Sequence, residues 1–186
     1  EKNILDLIQS HQFAHCINDL VTIEDSNSAV GDQLAKEFRQ ILTQCLVHLN
    51  FLRQTLVDVL PQRVYDKAIG TVINTLFNGL INKILIQNDI SSSGAQRLSQ
   101  EIEFLFAEVK TFLKTENPMR LVSKWSKLSE LNFVLNANLL EIVNRWADGY
   151  GILAAEFTAP DVKQLIRVLF QNTEHRAKTL NRITSH

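Results

Sequence analysis

Over residues 62–88, Val64, Ala68, Ile69, Val72, Ile73, Leu76, Phe77, Leu80, Ile81, Ile84 and Leu85 recur at alternating spacings of one and three. That rhythm places them on one wide stripe of a helix, with Arg63, Asp66, Lys67, Asn74, Asn78 and Lys83 on the other side. Gly70 and Gly79 oppose a helix by about 1 kcal/mol each. The large apolar side chains, each worth about 1.5–3 kcal/mol when buried, outweigh them. A long amphipathic helix of this kind needs other helices or a sheet to cover its stripe, and the rest of the chain supplies helices.

Residues 32–60 keep the same period through Leu34, Phe38, Ile41, Leu42, Cys45, Leu49, Leu52, Leu56 and Leu60. At 1.5 Å per residue each of these helices is about 40 Å long. Pro61 separates them, because a residue preceding proline is steered out of helical geometry. Two long helices with so short a break fold back antiparallel.

Residues 3–21 read as a helix carrying Ile4, Leu7, Ile8, Ile17, Leu20 and Val21, followed by a polar loop from Glu24 to Asp32. Ser93 with Gln96 reads as a capping box for a helix over 94–115. Residues 118–147 hold one helix or two, with Asn136 as a candidate N-cap. Asp148-Gly149-Tyr150-Gly151 is a turn. Thr158-Ala159-Pro160-Asp161 starts a helix to about Phe170, and Asn172-Thr173-Glu174 restarts a last one through Leu180 and Ile183. Six Gly and three Pro are too few turn residues for a sandwich or barrel, and no segment alternates with period two over a useful length. No repeat of 20 to 50 residues is visible either. The expectation is an all-α chain, an elongated bundle of long antiparallel amphipathic helices. It forms a single region over residues 1–186, with a long-helix part at 1–117 and terminal helices at 118–186.

The charges balance, 19 basic against 20 acidic, which argues against a nucleic-acid or anionic-membrane footprint over the whole chain. No uninterrupted apolar run approaches the roughly 20 residues of a bilayer span. The start, Glu1-Lys2-Asn3, lacks Met and the zones of a signal peptide, so the chain reads as a fragment of a longer protein. Cys16 and Cys45 lie in apolar helical stretches and read as reduced, buried thiols of a cytosolic protein.

Chemistry-bearing constellations are few. His11 and His15 stand at i and i+4 beside Cys16, a spacing that can hold a metal, yet no third and fourth ligand lie nearby. Gly149 and Gly151 follow no strand and precede no Lys-Ser/Thr, so they mark a turn and not a phosphate cradle. No pair of carboxylates shares an apolar cleft, as acid–base chemistry requires. The reading is non-catalytic, with no cofactor and no metal. Toward the end, Lys163, Arg167, Arg176, Lys178 and Arg182 outnumber Asp161 and Glu174, and two short helices there admit a nucleic-acid-binding alternative. Against it, the stripe Val162, Leu165, Ile166, Leu169 and Phe170 implies docking onto the bundle. Trp125, Trp146 and Phe157 read first as core. As partner-binding candidates we take Trp125, Phe157, Arg167 and Arg176, because aromatics and arginine dominate interface hot spots.

Three strings carry a resemblance: Arg145-Trp146-Ala147-Asp148-Gly149, Leu165-Ile166-Arg167, and Leu169-Phe170-Gln171-Asn172-Thr173-Glu174 followed by Arg176. Support comes from Leu60-Pro61 with Tyr65, Lys67, Ala68 and Gly70, and from Asp89-Ile90-Ser91 before Gly94-Ala95. On these the chain resembles the carboxy-terminal region of the Zeste-White-ten family, sharply over 130–186 and more loosely over 1–129. The resemblance implies a helical-rod subunit of multi-subunit tethering complexes. One such complex tethers Golgi-derived vesicles at the endoplasmic reticulum. The other acts at mitotic kinetochores with Rough Deal and Zwilch, recruiting dynein and supporting the spindle checkpoint. Implied partners are those helical subunits and the large subunit of the ER tether. Implied localisation is cytoplasmic, peripheral at the ER membrane through partners, and at kinetochore and spindle in mitosis.

Overall fold

The computed structural model describes residues 4–24, 29–113, 115 and 117–184. Among them the regular structure is entirely helical: α1 (Ile4–Gln9), α2 (His11–Thr22), α3 (Ala29–Leu56), α4 (Gln62–Leu85), α5 (Ser92–Phe112), α6 (Trp125–Asn136), α7 (Leu139–Trp146), α8 (Ile152–Glu156), α9 (Ala159–Leu169) and α10 (Glu174–Arg182), with 3-10 turns at Pro118–Arg120 and Ala147–Gly149. The all-α class read from the sequence is what the structure has.

The stripe on α4 is buried as its spacing requires, through Ile69, Ile73, Leu76, Phe77, Leu80, Ile81 and Ile84, while Val64 at its start is exposed. Helix α4 is long and apolar enough to cross a bilayer by length and composition alone, unlike the run-by-run reading of the sequence. Its apolar face is occupied instead, by α1, α3 and α6. Helix α5 is buried on most of its circumference and packs against α2, α3 and α6.

Local capping chemistry moves several boundaries. The expected helix over 3–21 is two helices. Ser10 breaks it because its hydroxyl accepts from the Phe13 amide (3.1 Å) and donates to the Leu7 carbonyl (2.6 Å), replacing a backbone turn. The polar loop expected to Asp32 ends earlier, since α3 starts at Ala29; residues 25–28 lie outside the described residues. Helix α3 ends at Leu56 and not at 60, and α4 at Leu85. Ser91, not Ser93, caps α5 by accepting from the Gly94 amide at 2.9 Å. That helix spans 92–112 and not 94–115. The break inside 118–147 is real, but Asn138 makes the capping box, with Glu141. The Asn136 side chain is engaged elsewhere, donating to Ser99 Oγ (2.7 Å) and the Asn132 carbonyl (2.8 Å). Thr158 caps α9 in a capping box with Asp161, as its sequence indicates.

Helix α6 has no cap of its own. Asn74 of α4 provides one, its Oδ1 accepting from the Lys124 amide at 2.9 Å. This long-range cap fixes the start of α6, and with it Trp125, against α4.

Candidate docking surface

The four candidate residues fall into two environments. Trp125 opens α6 and is buried, its ring centroid 4.7 Å from Phe106 and 5.7 Å from Phe77, with Lys110 Nζ 5.8 Å from its own centroid. Phe157 follows α8, is buried as well, and carries Lys127 Nζ 4.7 Å from its ring centroid. The two arginines share the α9–α10 elbow. Arg176 donates from Nη1 to the carbonyls of Arg167 (3.0 Å) and Phe170 (2.7 Å), so its cation sits on the carboxy-terminal end of α9, where the helix dipole is negative. The Arg167 side chain is exposed. Of the four, Arg167 presents its side chain outward, and the two aromatics serve the core.

At the same elbow the stripe Val162, Leu165 and Ile166 is fully buried, while Leu169 and Phe170 are partly so. Lys178 pairs with Glu174 at 2.8 Å. The local cations are therefore partly neutralised within the fold. At the other end of the chain, His15 Nδ1 meets Asp19 at 2.6 Å, and the His11 and His15 rings lie 6.0 Å apart. Among the described residues no group of three or more His, Cys, Asp or Glu is arranged to hold a metal ion.

The sequence reading did not anticipate two ion pairs of one design, each seating a partly exposed arginine on a buried glutamate. Arg39 of α3 makes a bidentate bond to Glu101 of α5 (2.8 and 2.7 Å), with its guanidinium 4.7 Å from the Phe104 ring. Arg145 of α7 makes the same bond to Glu130 of α6 (2.9 and 2.6 Å), 4.8 Å from Phe133. Each clamp thus joins a Glu and a Phe three residues on to an Arg from a neighbouring helix. Hydrogen bonding to the glutamate raises both guanidinium pKa values above their ordinary value. The signal was legible in the sequence: Glu101-Ile-Glu-Phe104 and Glu130-Leu-Asn-Phe133 share one pattern. The third positions of the two strings meet, Asn132 Nδ2 donating to Glu103 Oε1. Helices α5 and α6 consequently run antiparallel, with Lys110 against Trp125, Glu103 against Asn132 and Ser99 against Asn136.

With the core so fixed, the outward faces hold the surface able to meet a partner. On α3, Gln40, Gln44, Val47, Phe51, Gln54 and Thr55 are all exposed and share one face by their spacing. That face carries no charge over four turns and presents Phe51 at 66% exposure. Solvated helix faces ordinarily carry charged residues, so an uncharged one with an exposed aromatic is the feature most suited to docking. A second unusual site is the Ala147–Gly149 turn, where Ala147 (φ 46°), Asp148 (φ 52°) and Gly149 (φ 92°) are all left-handed. Only the glycine adopts that conformation without cost.

Residues 40–183 match the family described as the ZW10 C-terminal helical domain. The chain is 37% identical over 144 residues to the Centromere/kinetochore protein zw10 of Drosophila melanogaster, covering 77% of the chain and 20% of that protein. It is 41% identical over 160 residues to the zw10 homolog of Rattus norvegicus, covering 80% of the chain and 20% of the relative. With the Caenorhabditis elegans homolog it shares 24% identity over 146 residues, 76% of the chain and 19% of the relative. The chain thus spans about a fifth of the length of these curated relatives.

Proposed function

The chain belongs to the family of the ZW10 C-terminal helical domain, and from that premise we propose that it is a non-catalytic docking module of a multi-subunit scaffold. Its relatives carry the name centromere/kinetochore protein, and the proposal gives this chain a role at the kinetochore through the fifth of their length that it matches. The resemblance extends the proposal to Golgi-to-ER vesicle tethering, to dynein recruitment and to spindle-checkpoint signalling. On this reading the partners are helical subunits, Rough Deal and Zwilch at the kinetochore and the large subunit of the ER tether. Membrane association is then peripheral, at the ER, and made through those partners.

The observation that carries the docking reading is the uncharged outer face of α3, from Gln40 to Thr55, which leaves Val47 and Phe51 exposed on an otherwise well-charged chain. A partner helix laid along it would bury those two side chains without desolvating an ion. Arg167 adds a polar contact at the α9–α10 elbow, while Trp125 and Phe157 lie buried beneath Lys110 and Lys127. The test is a pull-down from mitotic and interphase cytosol with the folded chain as bait, beside Phe51→Glu. Recovery of large helical subunits by the unaltered chain and their loss with Phe51→Glu supports the proposal. Equal recovery by both sinks the α3 surface, and no recovery by the folded chain sinks the docking reading.

A further inference from the structure

The family match begins at residue 40, inside α3, and leaves α1, α2 and the first turns of α3 outside it. The packing draws the boundary elsewhere. Ile8, Phe13, Ile17, Leu20 and Val21 of α1 and α2 are buried to the same degree as the centre of the core. Phe13 lies 5.7 Å from Phe38 of α3. The receiving face has been cut to fit. A Cβ on Gly79 of α4 would lie 2.1 Å from Ile8 Cγ2, and one on Gly94 of α5 would lie 2.5 Å from the Val21 carbonyl oxygen and 2.6 Å from its Cα. Both glycines sit inside the family match, yet what they accommodate lies upstream of it.

The polar chemistry agrees. A helix end leaves carbonyls without intrahelical donors, and those at the end of α2 are met by the start of α5. The Ser91 amide donates to the Val21 carbonyl at 2.7 Å, and the hydroxyls of Ser91 and Ser93 both donate to the Ile23 carbonyl. Ser91 meanwhile accepts from Gly94 as the cap of α5, so one serine terminates α2 and initiates α5. Without α2, two hydroxyls and an amide at the first turn of α5 lose their acceptors, beside a bare apolar strip.

We infer that the segment 4–23 is the built-in occupant of the face formed by α3, α4 and α5, so that the cooperative domain starts upstream of the family match. Helix α1 is thereby joined to α4 by a packed contact at Gly79 and not by a hinge.

Hydrogen exchange of the intact 186-residue chain tests this, followed by mass spectrometry along a denaturant series. The expected result is that amides of α2 and of α4–α5 open together, with protection within about ten-fold and the same denaturant dependence. Separate, denaturant-independent opening of α1–α2 under a protected α4–α5 overturns the inference. Gly79→Val supplies a second reading: one transition, lowered for every helix, supports it. Loss of protection confined to α1 and α2, with the remaining transition unmoved, overturns it. The experiment contains no partner, so its failure leaves the docking reading of α3 standing, and failed partner capture leaves this inference standing.

Discussion

Replacing Glu130 by Gln should destabilise the chain more than replacing Glu101 by Gln, although the two clamps look alike. Each carboxylate is nearly fully buried and takes two charge-assisted bonds from one guanidinium. Glutamine keeps the shape but turns one acceptor into a donor facing the guanidinium, so one bond and the ionic attraction are lost. A buried bond to a charged group is worth about 1.5–3 kcal/mol net, and an arginine left behind adds a penalty that falls as it regains water. The Arg39 side chain is 48% exposed and Arg145 37%, so Arg39 rehydrates more completely. The expectation is about 2–3 kcal/mol for Glu130→Gln and about 1–2 kcal/mol for Glu101→Gln. At about 2–4 °C per kcal/mol for a domain of this size, thermal melts followed by circular dichroism should resolve the order. A double-mutant cycle with Arg145→Met then isolates the pair. An equal or larger loss for Glu101→Gln, or no coupling in the cycle, refutes the reasoning from burial.

Three further outcomes are expected. Gly94→Ala improves helix propensity by about 1 kcal/mol but drives a methyl into the backbone of Val21, so a net loss of about 1–3 kcal/mol should appear in urea melts. Ala147→Gly removes a non-glycine residue from the left-handed region and should raise the midpoint by about 1–4 °C in a thermal scan, at about 0.5–1 kcal/mol. Burial pushes the Cys45 thiol up to about 12 from an ordinary 9.0, and raises Cys16 and Tyr65 too. The unfolded chain therefore ionises first. Stability is fully present below about pH 9 and falls toward pH 12 by up to about 1.4 kcal/mol per pH unit from Cys45. Cys45→Ala should flatten that alkaline decline in melts taken from pH 8 to 11, whatever its effect at neutral pH.

The long helices were legible because their apolar periods are unambiguous. No other arrangement places Ile69, Ile73, Leu76, Phe77, Leu80 and Ile84 together on one buried stripe. The start of α9 was legible because Thr158, Pro160 and Asp161 act within one turn. What escaped depends on side chains that act over distance. Asn74 caps a helix fifty residues away, and nothing near Lys124 signals it. Ser10 breaks a helix whose apolar period continues through it, so period alone favoured one helix. Asn136 and Asn138 are equally good local caps, and the choice fell to Ser99, which holds the Asn136 side chain against α5. Trp125 and Phe157 lie in the core, whereas the exposed Phe51 shares a helix face with Gln40, Gln44 and Gln54, whose lack of charge was the overlooked signal.

In the proposed function, this helical domain docks a partner subunit through the outer face of α3. Equilibrium titration of the purified chain into a purified large helical subunit of the kinetochore or ER-tether complex, by calorimetry, measures it directly. The expected result is saturable one-to-one binding that weakens by about ten-fold or more with Phe51→Glu, a loss of about 1.4 kcal/mol or greater, with unchanged circular dichroism. A folded chain that binds neither subunit, or a Phe51→Glu variant that binds undiminished, contradicts it.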